Sequence, residues 1–511
     1  MASKRPGAEA TPSSKVGFLP KILDRTVIAI PLLDEFERLD ESEKHKIFHI
    51  AIDLNLDYHK GVDGAREDVK TMIAGILGES KRTRVKQGVL QEPVDDMQYV
   101  FASLEADAIK ELVRRDTRQG PRKSDRTIHH IWPDFDLKPL INKSISTVKG
   151  DAAHNAFGAF GDGIVWAVID SGIDSTHPHF AKHRNLELEL PLKHRDFTSA
   201  NGDALKDTFG HGTHVAGIIA GQVDRQDAAI FATTRYRDEN GDPAEVTQEL
   251  DMISGMAPRC KLLSLKVLDD DGRGNGTGRA SSIMAALQYI QRLNGNGRRL
   301  LVHGVNLSVG YDFQPEWFAC GQSPLCVEVD RLIRSGVVVV VAAGNSGYGF
   351  VQSEKQGVVP AGLDLTVNDP GNADLAITVG STHRDMPHTY GVSYFSSKGP
   401  TGDGRMKPDL LAPGEKILSC ASHQMKWKAP RSLPRKGKKR GRAFYREDSG
   451  TSMAAPHVSG VIASFLSIRR EFLRQPDEVK RIFLSTATDL HRAPYFQGRG
   501  LVDAMRAIQS V

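Results

Sequence analysis

With 511 residues, the chain is too long for one ordinary hydrophobic core and points to two or three domains. Its 40% apolar and 25% charged residues, with a mean hydropathy of −0.34, exclude general disorder. The net charge is only +4, and the longest apolar runs, 28–33 and 337–343, fall far short of the roughly 20 residues of a membrane span.

Residues 1–16 are rich in Ala, Ser, Pro and Lys and read as a disordered tail. No apolar core of signal-peptide length follows, so the expected location is the cytoplasm if the sequence is the whole product. Cys260, Cys320, Cys326 and Cys420 are too few for a disulfide scaffold. Cys320 and Cys326 could pair locally, but buried or free thiols fit better.

From Lys46 the pattern becomes regular. Ile50, Ile52, Leu54, Leu56 and Tyr58 alternate with polar residues, as in a half-buried strand. Val69, Met72, Ile73, Ile76 and Leu77 follow with helical spacing. A second unit repeats the order, with a strand near 98–104, a helix near 106–114 and a strand at 127–132. Two such units make a ferredoxin-like split βαβ module. It carries no ligand cluster and no phosphate loop, so a chaperone, inhibitor or docking role is expected of it. A linker is expected over 134–151, with Pro139 and Gly150 in it.

The character then changes. Residues 164–169 are a continuous apolar run, as in a parallel strand covered on both faces, and they end in Asp170-Ser171-Gly172-Ile173-Asp174. Similar runs recur at 261–268, 304–309, 337–343 and 375–379, with helical spacing between several of them. The expected fold is α/β, a doubly wound, mainly parallel sheet, whose working residues gather at the carboxyl ends of strands. Asp170 lies at one such end and Asn345 just past another.

Phe209-Gly210-His211-Gly212-Thr213-His214-Val215-Ala216-Gly217 offers a base in His211, with a helix continuing over 215–220. His211 and His214 could also be a metal pair, but no third ligand lies at a matching spacing. Gly450-Thr451-Ser452-Met453-Ala454-Ala455-Pro456-His457 places Ser452 at a helix N-terminus, where backbone N–H groups converge. Ser452 there is a candidate nucleophile or simply a helix cap. Asn345, within Gly344-Asn345-Ser346-Gly347, reads equally well as a turn residue.

These four segments, in their order along the chain (Asp170, His211, Asn345, Ser452), resemble the signature regions of the subtilases, the subtilisin-like serine proteases. The resemblance implies a subtilisin-like α/β/α sandwich and a serine endopeptidase. Ser452 would be the nucleophile, His211 the general base, Asp170 the residue orienting it, and Asn345 an oxyanion donor beside the Ser452 N–H. Substrate backbone would pair with Gly272-Arg273-Gly274 and with Ser308-Val309-Gly310. Residues 46–143 would be a propeptide that inhibits the site until it is cut away between about 130 and 145. The implied division is a weakly structured segment 1–45, that module, and a peptidase domain over 144–511. Partners would be protein or peptide substrates and the propeptide itself, without membrane or nucleic acid. A non-catalytic peptide-binding relative and an acyl-transfer enzyme are the alternatives.

Catalysis of this kind needs no cofactor. Structural calcium is conceivable, but His179 stands where the family often has a calcium-binding aspartate, which puts the usual site in doubt. Residues 222–253 are longer and more charged than a short loop requires. Residues 426–446 hold ten Lys and Arg and no acid, leaving the rest of the chain near −6. This basic insertion reads as a solvated loop at the active-site rim, an exosite for acidic substrates, a self-cleavage site or, least well, a nucleic-acid contact.

Overall fold

The computed structural model describes residues 27–29, 32, 33, 36, 39, 45–79, 87–89, 98–120, 122–133, 143–237, 243–273, 275–353, 357–424 and 442–511. The expected N-terminal tail, most of the expected 1–45 segment, Gly274 and the 426–441 part of the basic insertion lie outside them. Two compact units divide the chain, Met1–Pro139 and Leu140–Val511.

In the first unit, strands Ile47–Leu54, Gly88–Val89, Tyr99–Glu105 and Ile128–Pro133 form one antiparallel sheet. Their spatial order is second, third, first, fourth. Helices Gly61–Glu79 and Ala106–Arg118 bury Val69, Ile73, Ile109 and Leu112 against Ile50, Ile52, Leu54, Val100 and Ala102. The alternation of residues 50–58 does not continue as strand to its end: the strand stops at Leu54, and Leu56 is exposed.

The second unit is built on seven parallel strands. Across the sheet they run Leu410–Glu415, Ile377–His383, Val338–Ala342, Gly304–Leu307, Val165–Asp170, Lys261–Lys266 and Arg195–Asp196. Successive side chains of a strand point to opposite faces, and here both faces are covered, which is why the strands are apolar without alternation. Trp166, Val168, Val338 and Val340 pack with residues of helices His211–Ile219 and Thr451–Ile468. Ala167, Ile169, Val339 and Val341 pack with helices Ala280–Leu293 and Pro324–Arg334 on the other side. By length and composition Thr451–Ile468 could cross a membrane, but 83% of it is buried inside this unit.

The expected linker and the expected basic loop need correction, and the long charged stretch 222–253 takes a definite form. The expected 134–151 linker gives way at its end to helices Lys143–Thr147 and Gly150–Phe157, and Val148 between them is tied into the second unit as Ala504 N–H donates to its carbonyl. Residues 222–253 are mostly strand: Ala229–Arg237 pairs antiparallel with Pro243–Leu250. The end of the basic stretch is strand as well, since Arg442–Asp448 pairs parallel with Ala229–Arg237 and antiparallel with Ile417–Cys420. These polar, alternating segments form a four-stranded accessory sheet that leads straight into the Ser452 helix. All four cysteines are free and buried, so Cys320 and Cys326 do not pair.

Candidate active site

Asp170 is the last residue of its strand and is almost wholly buried. Its Oδ1 accepts from the Ser171 backbone N–H and lies 2.8 Å from His211 Nδ1. An acidic acceptor at Nδ1 places the proton there and leaves Nε2 with its lone pair, the tautomer a general base needs. His211 begins its helix, earlier than the helix expected from residue 215. The next residue must be glycine: a Cβ on Gly212 would stand 2.2 Å from Gly172 O, so the Asp170 loop and the His211 helix meet backbone to backbone.

Burial, the largest influence on His211, works against its charged form. The charge and hydrogen bond of Asp170, joined by the charges of Asp448 and Asp207, outweigh it and raise the pKa above the usual 6.5. His214 behaves differently. Burial drives it down to about 4, and its Nε2 lies 3.2 Å from Arg446 O, so it is a neutral, inward-facing histidine. His211 thus faces Asp170 and His214 a carbonyl, and no group of three metal-ligating side chains occurs among the described residues. His179 is likewise buried and lowered to about 3, with Nδ1 at 3.0 Å from Tyr445 Oη and Nε2 at 3.2 Å from Gly217 O.

Ser452 is the second residue of helix Thr451–Ile468. Pro456, four residues on, has no N–H, so the Ser452 carbonyl lacks its helical donor. Ser308 supplies one, donating from Oγ to Ser452 O at 2.9 Å. Behind it Ser459 Oγ donates to Asn306 Oδ1, and Asn306 Nδ2 donates to Ser308 Oγ, each at 2.9 Å. This buried chain fixes the first turn of the helix against the strand Gly304–Leu307. Ser452 Oγ itself donates to Ser308 O at 3.0 Å.

Asn345 follows strand Val338–Ala342, and its Oδ1 accepts from Thr451 N–H at 2.9 Å and Thr451 Oγ1 at 3.1 Å. Two donors on one atom identify that atom as the oxygen and leave Nδ2 as the donor of exposed Asn345, against the residue before Ser452. Among the segments expected to pair with substrate, Ser308 touches Ser452 directly, and Val309-Gly310 continue from it toward the Tyr311–Asp369 bridge. Gly272 and Arg273 lie in the turn of a hairpin, Leu268–Asp270 with Gly276–Gly278. Their N–H groups are taken up by Asp270 and Asp271 within that turn. The hairpin meets the site through Gly276, against the ring of Phe209, which stacks on His211 at 6.0 Å between centroids.

The sequence reading missed Asp207. Its buried carboxylate accepts four hydrogen bonds, from Ser171 Oγ, Gly210 N, Thr213 N and Thr213 Oγ1. Burial pushes its pKa up against those four donors. It thereby clamps the residue after Asp170 to the start of the His211 helix. An acid four residues before a glycine-flanked histidine was the available signal. Asp207 N–H also donates to Gln424 Oε1, and Asp174 Oδ2 accepts from His423 N–H, so the chain entering the basic insertion is anchored beside the same loops.

A model of the subtilase family matches residues 161–500. Pyrolysin of Pyrococcus furiosus is 32% identical over 337 residues, 59% of this chain and 21% of pyrolysin. The serine protease AprX of Bacillus subtilis is 28% identical over 394 residues, covering 75% of this chain and 74% of AprX. A solved structure of MycP1, with its N-terminal propeptide removed, aligns over 72% of this chain and 96% of its own at 21% identity, with a TM-score of 0.45.

Proposed function

Since the chain belongs to the subtilase family of serine endopeptidases, we propose that it cleaves peptide bonds through an acyl-enzyme on Ser452, with His211 as base and Asp170 as its orienting acid. The observation that carries this reading is the 2.8 Å contact from His211 Nδ1 to buried Asp170, on a loop held in place by Asp207.

In the first step Ser452 Oγ leaves Ser308 O and attacks the substrate carbonyl carbon while its proton passes to His211 Nε2. The oxyanion is taken up by Asn345 Nδ2 and the Ser452 N–H. As the tetrahedral intermediate collapses, His211 gives its proton to the departing amine and the acyl-enzyme remains. Water then repeats the attack, losing a proton to His211, and the carboxylic acid departs as Ser452 regains its hydrogen. No metal enters these steps. Replacing Asn345 with alanine is expected to lower kcat by roughly 10²- to 10³-fold with little change in KM, because the amide meets only the developing charge. Steady-state kinetics on one peptide measures this.

The first unit is read as the propeptide. It is a self-contained sheet with its own core, and it precedes the residues that match the family. The test is the intact mass of the purified protein over time beside Ser452→Ala. Shortening of the wild type alone, with the cut between about 130 and 145, is the expected result. Equal shortening of both would assign the cut to another protease, and stability of both would refute self-processing under those conditions.

A further inference from the structure

Directly after Asn345 the chain forms a hairpin of strands Tyr348–Ser353 and Gly357–Gly362. Its base is firmly held. Gly347 N–H donates to Phe395 O, Leu363 N–H and Lys398 Nζ donate to Gly347 O, and Ser346 N–H donates to Ser397 Oγ. In the observed register Phe350 faces Pro360 and Gln352 faces Val358. Because side chains alternate, Tyr348, Phe350, Gln352, Val358 and Pro360 share one face. All five are exposed, Phe350 to 72% and Val358 to 65%. Tyr394, also exposed, packs edge-on against Tyr348 with ring centroids 5.6 Å apart and widens this face. Gln352 is its one amide, and the tyrosines add only their hydroxyls.

An unpartnered apolar face of this kind calls for an apolar occupant. Its position selects which one. Tyr348 lies three residues past Asn345 and Phe350 five, so the face begins within about 10 Å of the oxyanion donor and its centre lies within about 17 Å. An extended substrate advances about 3.3 Å per residue, which brings its third to fifth residues from the scissile bond to that distance. A second copy of the chain fits less well. The four apolar hairpin side chains offer on the order of 300 Å², against the roughly 800 Å² per partner that a stable dimer buries.

We propose that the paired strands Tyr348–Ser353 and Gly357–Gly362 extend the substrate cleft and select aliphatic or aromatic side chains three to five residues from the cleaved bond. Phe350 and Val358 are its specificity-determining residues. The proposal rests on the endopeptidase reading above and deepens it.

The test uses matched peptides, identical around the scissile bond, that carry either Leu-Phe or Ser-Ser four and five residues away, on one side or the other. The expected result is a kcat/KM at least about tenfold higher for the Leu-Phe peptide on one side, the scale of one partly covered apolar contact. The double variant Phe350→Ser, Val358→Ser should bring that ratio close to one. Leu190→Ser, at an exposed site remote in sequence and on the far edge of the sheet, should leave it unchanged. Labelling of Ser452 by a serine-reactive phosphonate verifies that each variant keeps a folded active site.

A wild type that cleaves both peptides equally, or a double variant that labels normally and keeps the preference, overturns the hairpin proposal and leaves the endopeptidase reading intact. A wild type that has been cut between about 130 and 145 and still neither cleaves nor labels overturns both. If the double substitution instead dissociates a dimer in sedimentation without altering the preference, the face joins copies of the chain and the proposal fails.

Discussion

Replacing Ser452 or His211 with alanine, singly or together, is expected to lower kcat for a peptide substrate by the same factor, roughly 10⁶-fold, the loss seen for such replacements in subtilisin. The reason is that neither group works without the other. A serine hydroxyl is a poor nucleophile until its proton has somewhere to go, and a base with no hydroxyl to deprotonate contributes little. The first loss should therefore consume the effect of the second. Residual hydrolysis above the rate in water should persist in all three variants, because Asn345 and the Ser452-side backbone still meet the oxyanion. Single-turnover assays on the two single variants and the double variant check this. Additive losses would mean that Ser452 and His211 act separately, which would contradict the acyl-enzyme scheme.

Asp170→Asn is the second large effect, a fall in kcat of roughly 10⁴-fold. The strand end and the backbone contact with Gly212 would keep the geometry, but an amide at position 170 can present its NH₂ to Nδ1 and push the imidazole into the wrong tautomer. The pH profile carries a second signature. His211 acts as a base only when neutral, so kcat/KM rises with pH through its pKa. Burial favours the neutral form, but Asp170, with Asp448 and Asp207, raises the pKa, so the midpoint of the rise in the wild type should lie above 6.5. Removing the charge at position 170 removes the first of the raising influences, and the midpoint should move toward lower pH. The same raised pKa links to stability. The His211–Asp170 pair contributes fully below the unfolded histidine's pKa, and that contribution is lost as pH rises through the folded value. A pH–rate profile whose midpoint is unmoved in Asp170→Asn would detach Asp170 from the base.

The parts of this site legible in sequence are those where local geometry forces unusual residues. Gly212 is required because two backbones touch there, and the strand ending at Asp170 is apolar on both faces because helices cover both. Ser308, Asn306 and Ser459 were harder to read as a unit. Each is an ordinary polar residue, and the need they meet, a carbonyl deprived of its donor by Pro456, arises some 144 residues away from Ser308. Asp207 is similar, since its clamp exists only once the strand and helix are side by side. The accessory sheet escaped because its strands are polar and alternating. Its pairing of Arg442–Asp448 with Ala229–Arg237 joins segments that no short-range pattern connects. The hairpin after Asn345 had a visible alternation of aromatic and small residues, yet which of its faces meets solvent depends on Phe395, Lys398 and Ser397 anchoring its base.

The position of the helix Thr451–Ile468 also has a meaning in time. It is the element that packs across the sheet on the side of Trp166 and Val168, and it carries Ser452. During synthesis Asp170 and His211 emerge first, and about 240 residues separate His211 from the nucleophile. At ordinary elongation rates that interval lasts roughly 10 to 50 seconds. Throughout it the nascent chain carries His211 without Ser452, and when His211 emerges five of the seven strands of the sheet are still to be made. Birth order alone thus separates the translation machinery from a competent protease, before any inhibitory segment has to act.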